Sequence, residues 1–158
     1  MAERIALLGG TGKEGKGLAY RWAKAGYEIV IGSRQVEKAQ IAADDLNKLL
    51  KDTKNPVTGL ENHQAADWCD IAVLTVPFSA HQSMLEDIKD CVLGKILVDV
   101  TVPLVPPKVK KVQMPEEGSA ALQAKKILGE NVQVVSAFQN ISYERLMTED
   151  DIDCDVLV

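Results

Sequence analysis

Residues Gly9 to Gly15 read Gly-Gly-Thr-Gly-Lys-Glu-Gly, between the apolar run Ile5-Ala6-Leu7-Leu8 and a stretch with helical spacing that begins at Lys16. The spacing Gly10-x-Gly12-x-x-Gly15 suits a phosphate cradle at a strand-to-helix turn. The first glycine lets the chain turn out of the strand, the second leaves room for a pyrophosphate, and the third lets helix and strand approach. A phosphate held there meets free amide N–H groups and the positive end of the helix dipole. Gly-rich turns are common and most bind nothing. Here a strand precedes the turn and a helix follows it, and a second strand ends about twenty residues later, where a dinucleotide-binding unit reads the ribose. Gly9, Gly10, Thr11, Gly12, Lys13, Glu14 and Gly15 are therefore expected to hold the pyrophosphate of a dinucleotide.

The end of that second strand decides which dinucleotide. A site for NAD normally places Asp or Glu there to accept from the ribose hydroxyls, but this chain reads Gly32-Ser33-Arg34, with no carboxylate before Glu37. Arg34 offers a planar fork of donors, Ser33 and Thr11 add hydroxyls, and Lys38 stands one helical turn beyond Arg34. Four donors from two loops suit the 2′-phosphate of NADP. The alternative is that Ser33 caps the second helix while Arg34 and Lys38 are solvated charges.

Elements that can position these groups alternate along the whole chain, so the expected fold class is α/β: a Rossmann doubly wound, mainly parallel sheet with helices on both faces. Strands are expected at residues 4–9, 28–32, 57–60, 70–76, 95–100 and 132–136, and a short last one at 156–158. Helical spacing covers 36–51, with Val36, Ala39, Ala43, Leu46 and Leu50 on one stripe, and recurs at 62–68, 79–90 and 119–128. The first helix carries Gly15, Leu18, Ala19, Trp22 and Ala23 and ends at Gly26, which places Trp22 in the core rather than on a ligand. Residues 101–118 include Pro103, Pro106, Pro107 and Pro115 and read as a long loop, at the strand end where substrates bind.

The 158 residues are 46% hydrophobic and 26% charged, which fits a single domain over residues 1–158. A net charge of −5 argues against nucleic acid or an anionic membrane as partner. The apolar runs are too short to span a bilayer and Met1-Ala2-Glu3-Arg4 leads into a strand, so a cytoplasmic protein is expected. Cys69, Cys91 and Cys154 lack paired spacing and read as reduced, mostly buried thiols. Neither His63 nor His81 stands at metal-ligand spacing from another His or a Cys, so no metal is expected.

Gly-Gly-Thr-Gly after strand one, Gly-Ser-Arg after strand two, Thr75-Val76-Pro77 after strand four and Ser136-Ala137-Phe138 after strand six stand in this order over nearly the full length. In this the chain resembles the coenzyme F420-dependent NADP reductases. The resemblance implies that Thr11, Ser33, Arg34 and Lys38 hold the 2′-phosphate and that Val76 and Pro77 line the nicotinamide half, with Thr75, Val100 and Ala137 at neighbouring strand ends completing the coenzyme site. It further implies a deazaflavin, coenzyme F420, stacked on the nicotinamide as redox acceptor and co-substrate. Hydride transfer between flat rings depends on placement, so no catalytic acid or base is assigned. Phe138 and Gln139 are expected to bound the acceptor slot, and Gln139 stands where many relatives carry His. It reads equally as a turn residue. His81 can approach the nicotinamide carboxamide or be a half-exposed structural histidine. Family members run on into a helical C-terminal part that helps close the pocket and pair subunits. This chain is expected to lack that part and to complete itself as a homodimer through the edge at 156–158.

Two other functions stay open on the residues alone. One is an NADP-dependent reductase of another small substrate, such as a ketone or imine, and the other a non-catalytic NADPH-binding sensor domain. A short-chain dehydrogenase is disfavoured, because Tyr20-x-x-x-Lys24 falls in the first helix and Tyr143 is followed by Met147 instead of Lys.

Overall fold

The computed structural model describes residues 3–50, 53–104 and 111–158. Its strands are β1 (Arg4–Leu8), β2 (Glu28–Ser33), β3 (Thr58–Glu61), β4 (Ile71–Leu74), β5 (Ile96–Asp99) and β6 (Gln133–Ser136). They form one sheet in the order β3-β2-β1-β4-β5-β6, every pair parallel. The helices are α1 (Lys13–Lys24), α2 (Val36–Leu49), α3 (Asn62–Trp68), α4 (Phe78–Ile88), α5 (Ala120–Leu128) and α6 (Tyr143–Leu146). This is the doubly wound order, in which the chain reverses direction across the sheet beside β1 and leaves a crevice at the carboxyl ends of β1 and β4.

Alternation along the strands sorts the core into two layers. Ile5 and Leu7 of β1 face α1, α2 and α6, packing with Leu18, Ala23, Ile29, Ile31, Ala39, Leu46 and Leu146. Ala6 and Leu8 face α3, α4 and α5, with Leu74, Leu85, Ile88, Leu97 and Leu128. Each fully buried aliphatic side chain is worth about 1.5–3 kcal/mol, so the central strands are held from both faces and their carboxyl ends form a fixed platform.

Differences from expectation lie at the edges. Residues 156–158 form no strand: Val156, Leu157 and Val158 are exposed, and β6 is the edge of the sheet among the described residues. Instead the chain after β6 turns back over α1 and forms the short helix α6. Its place is fixed by the Arg21 side chain, which donates to the carbonyls of Leu146, Arg145, Thr148 and Asp150. Trp22 packs against the core as expected, although half-buried, its ring edge-on to Phe138 at 5.6 Å between centroids, and the fully buried aromatic of α1 is Tyr20. Cys69 and Cys91 are buried, but Cys154 is exposed. Burial pushes the Cys69 thiol up to about 11. The expected end of the second helix at Lys51, and Pro106 and Pro107, lie outside the described residues. Among those described, Leu104 bridges Val112 in antiparallel fashion. No described helix is long and apolar enough to cross a membrane.

Candidate functional site

The Gly loop is packed so that three glycines are obligatory and a fourth is open. Gly9 adopts φ 67°, and a Cβ there would stand 2.4 Å from Val76 Cγ1. A Cβ on Gly10 would meet Leu7 O at 2.6 Å, and one on Gly15 would meet Gly10 Cα at 2.6 Å. The left-handed turn thus falls on Gly9, while Gly10 and Gly15 permit backbone contact. A Cβ on Gly12 would meet nothing within 4 Å. Gly12 is also the N-cap of α1 and supplies no side-chain hydrogen bond, so the first amides of the helix stay available to an anion.

A cavity of about 710 Å³ opens from this loop across the end of β2 to the face of α4. It brings together Gly9, Thr11, Gly12, Ser33, Arg34, Lys38, Thr75, Val76 and Pro77. Ser33 Oγ accepts from Gln35 N at 3.2 Å, which leaves its hydroxyl proton free to donate. Gln35, not Ser33, holds the N-cap position of α2, and it makes no side-chain capping bond. Arg34 and Lys38 make no ion pair among the described residues. On the far wall, Ala80 and Met84 of α4 present an apolar surface against which a flat ring can lie.

Other expected site residues fall elsewhere. The Lys13 side chain turns to Tyr143, its Nζ 4.8 Å from the ring centroid, which leaves only its main-chain amide beside the loop. Glu14 lies outside this cavity, with its carboxyl pKa raised by burial. Thr75 donates through both N and Oγ1 to Leu8 O, at 3.0 and 3.1 Å, pinning the end of β4 to β1. Val100 and Ala137 are buried at the ends of β5 and β6 and line no part of this cavity.

On the nicotinamide side the polar groups bond to one another. His81 is fully buried rather than half-exposed: Nε2 stands 2.8 Å from Asp99 Oδ2 and Nδ1 3.0 Å from Gln123 Oε1. Its ring lies beneath the site rather than in it. Asp99 Oδ1 accepts from Thr101 N at 3.0 Å. Gln139 Nε2 donates to Asp99 O at 2.7 Å and to Ser136 Oγ at 2.8 Å, tying β5 to β6. Phe138 has φ 70°, rare for a bulky side chain and costing about 1–3 kcal/mol, as often found where a site is held in one shape. A second groove, of about 580 Å³, starts at Phe78 directly after Pro77 and runs along Leu104, Met114 and Pro115.

Asn62 was not expected. It is the first residue of α3, 1% exposed, and its Oδ1 accepts from Gly9 N at 3.1 Å. The legible signal was an amide side chain at the carboxyl end of a parallel strand.

A family model described as NADP oxidoreductase, coenzyme F420-dependent, matches residues 4–103. The chain is 42% identical to the F420-dependent NADP reductase of Methanothermobacter thermautotrophicus, matching over 100% of its own length and 70% of the relative's. It is 40% identical to that of Methanocaldococcus jannaschii, over 98% of this chain and 71% of the relative's. A crystal structure of a proposed F420-dependent NADP reductase from Arthrobacter sp. FB24 superposes with TM-score 0.70 at 24% identity, covering 90% of this chain and 65% of that one. A pyrroline-5-carboxylate reductase from Coxiella burnetii superposes with TM-score 0.61 at 19% identity, covering 87% and 44%, a likeness of fold.

Proposed function

Since the chain belongs to the family of coenzyme F420-dependent NADP oxidoreductases, we propose that it binds NADP(H) in the cavity beside β1 and β2 and passes reducing equivalents between it and a deazaflavin of the F420 type. The observation that carries this reading is the donor set of Thr11, Ser33, Arg34 and Lys38 around one cavity, joined to a Gly12 with open space before it. When bound, the nicotinamide supplies a hydride that its partner ring accepts, or the reverse. The chain's residues contribute placement. The Gly loop and the first amides of α1 hold the pyrophosphate, and Arg34 and Lys38 neutralise the 2′-phosphate. Val76 and Pro77 form the floor of the nicotinamide half, and Phe138 and Gln139 at the end of β6 flank the acceptor.

We further propose that residues 1–158 act as one NADP-binding Rossmann domain, that the protein works in the cytoplasm, and that it pairs as a homodimer. Pairing has two supports: the open edge at β6 and the exposed Val156, Leu157 and Val158. The test is an absorbance assay with NADPH and purified coenzyme F420, following both chromophores. Exchange of reducing equivalents supports the reading. Oxidation of NADPH by ketones or aldehydes, with none by F420 or flavin, moves the assignment to a carbonyl reductase.

A further inference from the structure

We propose that Asn62 is a specificity determinant of the coenzyme site, donating from its side-chain Nδ2 to the phosphate on the adenosine ribose. This rests on the NADP reading and adds to it a residue outside both the Gly loop and the end of β2.

The amide orientation is determined by its neighbours. Gly9 N–H points at the Asn62 side chain at 3.1 Å and needs an acceptor, so Oδ1 must face it. On its other side the same oxygen is pressed against β2, where a Cβ on Gly32 would stand 2.7 Å away. With the oxygen held between Gly9 and Gly32, the NH₂ group is forced to the opposite side. Asn62 is 1% exposed, and its Nδ2 meets no acceptor among the described residues. Yet no side-chain nitrogen or oxygen sealed from solvent in the described residues lacks a partner. The NH₂ therefore opens into the cavity that Asn62 lines together with Ser33, Arg34 and Lys38.

A buried amide with its acceptor satisfied and its donors free favours a ligand atom that only accepts. A phosphate oxygen is such an atom, whereas a ribose hydroxyl is better served by a carboxylate that takes its proton. Asn62 thus does at the end of β3 the opposite of what an acidic residue does at the end of β2 in NAD sites. Its donor cannot swing away, because turning it would cost the bond to Gly9.

Two measurements test this. In the unmodified protein labelled with [¹⁵N]asparagine, the Asn62 side-chain NH₂ resonances are followed during titration with 2′,5′-ADP and with 5′-ADP. They should shift and exchange more slowly with the first and stay in place with the second. If 2′,5′-ADP binds and the Asn62 signals do not respond, the proposal is overturned. If 2′,5′-ADP does not bind at all, the NADP reading itself fails. Asn62→Asp then keeps an oxygen for Gly9 N–H but replaces the donor by a negative charge. NADP affinity should fall by at least about thirtyfold, with NAD affinity equal or higher. An equal loss for both coenzymes would reduce Asn62 to a prop for the Gly loop, and should the variant not fold, the labelled wild-type titration decides alone.

Discussion

The two halves of the crevice use their polar side chains in opposite ways. Around β1, β2 and β3 they are left unspent: Ser33 keeps its proton, Arg34 and Lys38 have no ion-pair partner among the described residues, and Asn62 keeps two donors. Around β5 and β6 they are consumed internally, in the chain Gln123–His81–Asp99–Thr101 and in the bonds of Gln139 to Asp99 and Ser136. The first half offers free donors to the cavity, as the proposed recognition of a charged ligand requires. The second holds surfaces at a fixed distance, which is what transfer between flat rings asks of a protein. Stability and binding should therefore separate on mutation, one half losing each.

His81→Ala gives the sharpest break. It leaves the buried Asp99 carboxylate without its ring partner, and urea unfolding should show a loss of about 3–5 kcal/mol. Binding of 2′,5′-ADP to the folded fraction should stay unchanged. A stable variant that no longer binds would reverse the division. Gly12→Val is the converse: its Cβ enters open space, so the melting temperature without ligand should hold, while the rise that NADP gives the wild type should vanish. A variant that still gains stability from NADP would move the phosphates elsewhere. Arg34→Ala should weaken NADP binding by roughly tenfold to a hundredfold by calorimetry and barely change NAD binding. Equal affinity of the wild type for both coenzymes would remove the premise.

The smallest effect belongs to neither half. Asp70, beneath the amino end of β4, accepts from the Arg4 side chain and main-chain N–H, which lower its pKa to about 2. Its folded value lies below its unfolded one, so the stability it adds is complete above about pH 4 and is lost as pH falls towards 2. Both partners are nearly half exposed, so screening keeps the effect small. Thermal melts of Asp70→Asn and wild type should differ slightly at pH 6 and converge at pH 2.

What could be read in the sequence followed hydrophobic spacing. Ile5 to Leu8 and Ile71 to Leu74 are apolar without a break because both faces are covered, and β4 and β1 lie side by side as such strands must. The same rule, applied fully, would have buried His81, which shares the stripe of Met84, Leu85 and Ile88. Chemical expectation for a histidine outweighed periodicity there. Lys13 was placed by its position in the loop, but a long side chain goes where its own attraction leads, here to Tyr143. Helix α6 and residues 147–150 are held by the Arg21 clamp, and Asp155 by Asn140, distant contacts that no local pattern announces. Asn62 carries no local signal for a related reason: what distinguishes it is the direction of one amide, set by Gly9.

The all-parallel sheet also constrains how the molecule comes into being. β1 lies between β2 and β4, and Arg4 meets Asp70, 66 positions away, only when the chain has made three crossovers. Parallel pairings of this kind cannot nucleate as local hairpins, and their loop-closure entropy must be met before any contact offsets it. During synthesis the first strand therefore waits for β4 to emerge before its second neighbour exists. Until then the Gly loop has no Val76 beside it, so the cavity gains its Thr75-Val76-Pro77 and α4 wall only after β4 has docked.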